Sequence, residues 1–469
     1  MSSRLALGAL AAAALWAPRS RADVVADWNV SLLEAQARAT VGANPAPRAL
    51  AIAHLAGYDA VSALARTHQP YGPALVPTLP ASAEAAFSSA FYRAATALYP
   101  AEEATFRERY EASLAALEPG AARDNGVALG SAAADGVLAA REGDGAAGEQ
   151  AFPGEVAIGK WRPTPRADIL LEPLAAAQPF WRSVRPFALE SGDQLRPAAP
   201  PALSSAEYAA AYEEVRTLGA LDGSSRTEEE TEIARFWAQA THLPFNAIAR
   251  SLAERDALPL EESARLFAVL NVALADSRIA VWDTKYEYGV WRPVTAIQEP
   301  TDDGNPATIA QPGWVPLLET PNHPSFASGH STTGAAGAEV LSAFFGEAVS
   351  FDVSSSTLPG VVRSFDSFQA AAAENADSRI YGGIHWRFDN EIGLALGAEV
   401  GRYATEHALL PLAGGDGAVD EAGASSGCGL APAPARGTGL LLAAVGLAAG
   451  ARLRRPRRSA RRASARLGA

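Results

Sequence analysis

Three clusters between residues 285 and 389 carry the groups that could do chemistry. The first is Lys285-Tyr-Glu-Tyr-Gly-Val-Trp-Arg292-Pro293. The second is His323-Pro-Ser-Phe-Ala-Ser328-Gly329-His330, and the third is Ser378-Arg379-Ile-Tyr-Gly-Gly-Ile-His385-Trp-Arg-Phe-Asp389. Together they offer three fixed cations, a hydroxyl, a glycine amide and histidines. That set suits holding a tetrahedral oxyanion and moving protons around it.

The spacing gives each group a direction. Lys285 and Arg292 are seven residues apart, about 20° out of alignment on an α-helix, so the pattern predicts that both point the same way. Pro293 marks a bend or an end of that helix. The chain has only two lysines, Lys160 and Lys285, and a lysine retained beside an arginine suggests a need for a point charge. A solvated basic face with aromatic packing would give the same first cluster.

Ser328-Gly329-His330 runs into a helix-forming stretch. It therefore delivers a hydroxyl and free backbone amides to a helix N-terminus, where anions are favoured, and Gly329 allows close approach. His330 stands at the edge of that site, suited to general acid/base work; an ordinary cap with a surface histidine is the competing reading. In the third cluster Arg379 precedes a Gly382-Gly383 loop, with a helix expected from near His385. Asp389, four residues on, would share the face of His385. A carboxylate on one ring nitrogen fixes the tautomer and aims the other nitrogen at a ligand. A structural His–Asp pair would look alike in isolation. The other histidines, His54, His68, His242 and His407, have no partner spacing and default to packing or surface roles.

The elements that must position these groups read as helices. Apolar residues recur at three- and four-residue spacing from Ala26 to about Pro80, and again over 81–98, 102–117 and 121–141. Residues 142–205, rich in Pro, Gly and Trp, read as a long irregular excursion across the surface. Helical patterning returns over 206–219, 226–242, 244–256 and 261–283, and strand signals are sparse. The expectation is an all-α multi-helix domain over residues 23–411.

Both ends stand apart. Residues 1–22 combine Arg4, an apolar run from Leu5 to Ala17 and Ser20-Arg-Ala22, and read as a secretory signal peptide. A Gly/Pro-rich linker (412–436) holds Cys428, the sole cysteine, so the body has no disulfide and no thiol nucleophile. An apolar segment and arginine-rich tail (437–469) follow, short for a membrane span. This arrangement resembles the tripartite sorting signals of bacterial surface proteins. The protein is thus expected to be exported, secreted or surface-anchored, touching membrane only through the tail. Of 39 Lys and Arg, three lie in residues 1–22 and eight in 451–469, leaving the body with 28 against 52 acidic residues, a formal charge of −24. Such a surface argues against nucleic acid as a partner.

Taken together, Lys-x6-Arg-Pro, Ser-Gly-His and Ser-Arg-x5-His-x3-Asp resemble the vanadium-dependent haloperoxidase and type 2 phosphatidic acid phosphatase (PAP2) superfamily, over most of residues 24–411. The aromatic residues before Arg292-Pro293 and His385-Trp-Arg-Phe-Asp389 look like the haloperoxidase branch. The resemblance implies vanadate as cofactor, with His385 as the protein ligand of vanadium and Asp389 orienting it. Lys285, Arg292 and Arg379 would neutralise the oxygens, helped by Ser328 and the Gly329 amide, and His330 would be the acid/base. Substrates would be hydrogen peroxide and halide. Histidine at the His323 position is similar to bromoperoxidases and favours bromide or iodide over chloride, unless His323 merely caps its turn. The alternative is a PAP2-type acid phosphatase hydrolysing phosphate esters through a phospho-histidine at His385, with His330 protonating the leaving group. The motif residues do not separate the two, because vanadate and phosphate share shape and charge.

Overall fold

The structure, a computed structural model, describes residues 24–164, 174–299 and 303–412. The expected signal peptide, linker and arginine tail lie outside the described residues. Among the described residues no helix is long and apolar enough to cross a membrane.

The N-terminal helices are α1 (Val24–Arg38), α2 (Pro45–Ala65), α3 (Ala83–Leu98), α4 (Glu103–Ala115) and α5 (Ala121–Ala140). The helical pattern to Pro80 is interrupted twice. Asn44 and Pro45 open α2, and Arg66 closes it in a left-handed conformation (φ 57°), so residues 66–82 form a connecting loop. The helical framework continues with α6 (Ala206–Leu218), α7 (Glu228–Phe236), α8 (His242–Arg255) and α9 (Leu260–Tyr288). The expected helix over 226–242 is shorter than its pattern: α7 ends at Phe236, and α8, expected over 244–256, starts at His242.

The excursion between α5 and α6 is irregular as expected, but it does not merely cross the surface. Trp161, Trp181 and Leu189 are buried in it. The amides of Phe187, Ala188 and Leu189 all donate to the carboxylate of Asp276 on α9. Aromatic burial and a saturated carboxylate hold a segment that helical periodicity could not announce.

The site-bearing half comprises α10 (Pro293–Gln298), α11 (Gly329–Phe345), α12 (Phe368–Tyr381) and α13 (Arg387–His407). Between α11 and α12 a small antiparallel hairpin, β1 (Phe351–Ser354) with β2 (Val362–Phe365), pairs Phe351 with Phe365. It adds a minor sheet to an otherwise helical architecture; Phe351 stacks on Phe368, tying it to α12.

Helix α9 runs through the centre and is buried over most of its length, so it lacks a polar stripe. α11 and α13 pack closely because α13 carries Gly393, Gly397 and Gly401 on one face. A Cβ on these would lie 2.9 Å from Ser328 O, 2.1 Å from Thr332 O and 2.7 Å from Ala336 O respectively. The backbones meet where the glycines are, and the N-termini of both helices come together: Ser328 N donates to Asp389 O at 2.9 Å.

Candidate functional site

Lys285, Arg292, Ser328, Gly329, Arg379, His385 and Asp389 are all buried, and His323 and His330 are half-buried at their edge. The three clusters do meet, though not by every route the spacing predicted. Helix α9 ends at Tyr288, with Gly289 in the left-handed region (φ 59°), so Lys285 and Arg292 do not share a helix. Arg292 instead caps α10. The two cations converge on the same loop: Lys285 Nζ donates to Pro324 O (2.9 Å) and Ser325 O (2.7 Å), while Arg292 Nε donates to His323 O (2.8 Å). Arg292 NH1 also donates to Ile384 O (2.7 Å) and lies 3.1 Å from His385 Nε2.

His385 precedes α13 rather than lying on it. Trp386 is the N-cap, and Asp389 is the third helical residue. Asp389 Oδ2 accepts the Trp386 amide (3.1 Å) and His385 Nδ1–H (2.7 Å). The pair forms because a first-turn carboxylate reaches back over the helix start, not because two side chains share a face. The outcome for the imidazole is the one expected. Its proton sits on Nδ1, and Nε2 presents a lone pair beside Arg292. Burial, then Arg292, Lys285 and Arg379, hold His385 neutral, well below the usual histidine range.

The cations are poorly compensated. Burial lowers Lys285 well below its ordinary value, Arg292 to about 9 and Arg379 to about 10. Among the described residues none of the three forms a carboxylate ion pair; Asp389 is the carboxylate that acts on Lys285 and Arg292. Arg379 NH1 donates to Trp237 O at 2.9 Å, yet its Nε is buried without a partner. Asp389 is itself pushed up to about 6 by burial, which outweighs its hydrogen bonds and the nearby cations. A buried cluster of positive charge with an unmet N–H fits an oxyanion of vanadate or phosphate type.

Ser328 caps α11: its Oγ accepts from Ser331 Oγ at 2.9 Å, which leaves its own proton to donate. The amides of Gly329 and His330 open the same helix and have no acceptor within it. His330 Nε2–H donates to Gln239 O at 3.1 Å, so Nδ1 carries the lone pair. Burial and the charge of Arg379 keep the ring neutral. His323 Nδ1 accepts from Arg292 NH2 at 3.0 Å, and its ring lies 4.7 Å from that of Trp282. His323, His330 and His385 open onto one cavity of about 200 Å³.

Several groups escaped the sequence reading. Ser325 donates its hydroxyl to Asp389 Oδ2; it lies inside the second cluster, but a serine with no helix beside it carries no spacing signal. Arg278 is a fourth buried cation on the cavity wall, and its signal was present. Arg278 and Lys285 are seven apart on α9, so the alignment predicted for Lys285 and Arg292 holds one step earlier. His242, assigned to packing or surface by default, also lines the cavity.

Fold and site thus define a helical protein with a buried, histidine-centred oxyanion pocket. Residues 265–414 match the family model described as the vanadium chloroperoxidase second helical-bundle domain. The vanadium chloroperoxidase of Curvularia inaequalis is 29% identical over 283 residues, 45% of this chain; the chain spans about half the length of that relative, 46%. The crystal structure of the first bacterial vanadium-dependent iodoperoxidase superposes with a TM-score of 0.73 at 26% identity, covering 84% of this chain and 98% of that one. A holo bacterial vanadium-dependent chloroperoxidase shares the fold, with TM-score 0.59 at 16% identity over 78% of this chain and 92% of that one. Residues 265–414 are therefore similar to that helical-bundle domain, on a chain that shares the fold of the vanadium-dependent haloperoxidase structures.

Proposed function

We propose that this protein is a vanadate-dependent haloperoxidase that oxidises halide with hydrogen peroxide, bromide or iodide in preference to chloride. The observation that carries the reading is the buried trio Lys285, Arg292 and Arg379, with one orphaned guanidinium N–H and a single carboxylate, set around the Nε2 lone pair of His385. The family resemblance of the relatives supports vanadate over phosphate as the occupant.

When bound, vanadate supplies Lewis acidity that activates peroxide; the protein's part is to hold it and to manage charge and protons. His385 Nε2 would be the single protein ligand, with its tautomer fixed by Asp389. Lys285, Arg292 and Arg379 would neutralise the oxygens, and Ser328 and the Gly329 amide would add hydrogen bonds at the positive end of α11. His330, neutral with its Nδ1 lone pair free, can take a proton from incoming peroxide. The ground for the halide preference is the resemblance at His323, where bromoperoxidases carry histidine and chloroperoxidases an aromatic. Export of the protein, and anchorage through its tail, rest on residues 1–22 and 412–469 and are proposed on their composition. Intact-mass measurement of the native protein would test both.

No observation favours the phosphatase. The experiment is a paired assay on purified full-length protein: bromination with bromide, peroxide and added vanadate, against p-nitrophenyl phosphate hydrolysis without vanadate. Bromination that depends on vanadate is the expected result. Phosphatase turnover abolished by vanadate, without halogenation, would overturn it.

A further inference from the structure

One wall of the cavity carries a cation and an imidazole that the oxyanion chemistry does not use. Arg278 is held from two sides: Nε donates to Asn44 Oδ1 at 2.8 Å, and the guanidinium lies 4.2 Å from the centre of the Trp282 ring. It is only 7% exposed, and among the described residues no carboxylate, carbonyl or hydroxyl accepts from NH1 or NH2. NH1 lies close against Gly329, where a Cβ would come within 2.7 Å of it. His242, the first residue of α8, is 6% exposed, and among the described residues its ring has no hydrogen-bond partner. Both side chains line the cavity that His323, His330 and His385 also face. A buried guanidinium fixed in place with two unused NH2 groups, lining one cavity with an unpartnered imidazole, is a built site for an anion.

We propose that Arg278 and His242 form a second anion subsite, which holds the halide beside the oxyanion pocket. The proposal rests on the haloperoxidase reading and adds the place where the second substrate waits. One full positive charge with a neutral imidazole matches a monovalent anion, whereas the motif trio matches a multiply charged one. The lining around the pair includes Ala43, Pro47, Ala240 and Pro321, which strip water and so favour a large, weakly hydrated ion over a small one. Arg278 stands beside the oxyanion trio: seven residues of α9 set its backbone roughly 10 Å from that of Lys285, and its guanidinium borders the oxyanion pocket at Gly329. Asn44 and the Trp282 face pre-position the guanidinium, so binding an ion there requires little reordering.

The test uses full-length protein loaded with vanadate, carrying Arg278→Met, Arg278→Lys or His242→Phe. The KM values for iodide, bromide and peroxide are measured alongside vanadate affinity by calorimetry. Arg278→Met should raise halide KM about tenfold and Arg278→Lys less, since charge is kept but the fork is lost. Peroxide KM and vanadate affinity should stay within about twofold, and His242→Phe should raise halide KM severalfold. If Arg278→Met fails to fold, His242→Phe decides alone. Unchanged halide KM in the folded variants would overturn the proposal. So would vanadate affinity falling in step with it, which would place Arg278 in the oxyanion pocket. Anomalous scattering from bromide-soaked, vanadate-free crystals separates this from failure of the haloperoxidase reading. A peak between Arg278 and His242, lost in Arg278→Met, upholds the subsite even where no halide is oxidised; its absence removes the subsite even where halide is oxidised.

Discussion

Asp389 Oδ2 accepts the Nδ1–H of His385 at 2.7 Å from the third residue of α13, so one carboxylate both caps the helix and sets the imidazole tautomer. Helix stability and ligand basicity are therefore coupled at a single atom. Trp386 N, Ser325 Oγ and His385 Nδ1 all donate to that one oxygen, so in Asp389→Asn the amide oxygen takes its place and still accepts from each. Being uncharged, it holds the Nδ1 proton less strongly and lowers the basicity of Nε2. Vanadate affinity should fall about 10- to 100-fold with the melting temperature nearly unchanged. Calorimetric titration beside a thermal melt checks this, and near-native affinity in Asp389→Asn would exclude His385 as the ligand.

The buried cations make a prediction with an unusual sign. Arg379 is buried with an orphaned Nε and no ion-pair partner among the described residues, so without an anion it weakens the fold. Arg379→Met loses the hydrogen bond to Trp237 O and a longer one to Ser378 Oγ but removes the cost of burying an uncompensated charge. The vanadate-free variant should be as stable as wild type or up to about 1 kcal/mol more so. Wild type at a hundredfold excess of vanadate over its dissociation constant should gain about 2.7 kcal/mol, and the variant should lose most of that gain. Urea unfolding with and without vanadate measures both. A marked loss of stability without vanadate, with the full gain retained, would contradict the assignment.

Much of this was legible in the sequence, and the remainder was not for definite reasons. Helical periodicity announced most of the framework, and residue type with spacing picked out nine candidate site residues. Lys285 and Arg292 converge through the carbonyls of loop 323–325 and not through helical phase, because Gly289 ends α9 first. His385 and Asp389 pair through an N-terminal cap and not along a helix face. Ser325 and His242 became visible only when separate segments came together, since a lone serine or imidazole has no local pattern, whereas Arg278, seven residues before Lys285 on α9, was within reach of spacing alone. The paired strands 351–354 and 362–365 are too short to alternate convincingly.

Close approach of α11 and α13 sets the distance between the two halves of the pocket. A Cβ on Gly397 would lie 2.1 Å from Thr332 O and 2.8 Å from Thr332 C, both backbone atoms that cannot step aside. Gly397→Ala should therefore cost about 1–3 kcal/mol or more, despite the better helix propensity of alanine. The same displacement would stretch the Ser328 N to Asp389 O contact, so vanadate affinity should drop as well. Chemical denaturation and vanadate titration read the two effects, and a stabilised variant would show that the helices are not in contact at Gly397.

Acid should unfold the protein partly through His54, far from the pocket. Its ring is fully buried, stacked on Phe267 and edge-on to Phe91, with Nε2 accepting from Asn29 at 2.9 Å and Nδ1 without a partner. Burial, then Arg250, lowers it to about 3. Below pH 6.5 the unfolded chain takes up a proton that the folded state refuses, so stability falls as pH falls from 6.5 toward 3. Between pH 7 and 5 the loss is about 2 kcal/mol, from the 1.36 kcal/mol carried by each pKa unit. Asp59 and Asp276, both pushed up to about 6 by burial, act the other way between pH 3.8 and 6, and His242, also near 3, acts with His54. These contributions cancel when wild type is compared with His54→Gln, which keeps an acceptor for Asn29 but cannot titrate. Urea unfolding of both proteins at pH 7, 6 and 5 should show the wild type losing about 2 kcal/mol more than the variant; parallel pH profiles would mean that His54 gains its proton without unfolding the core.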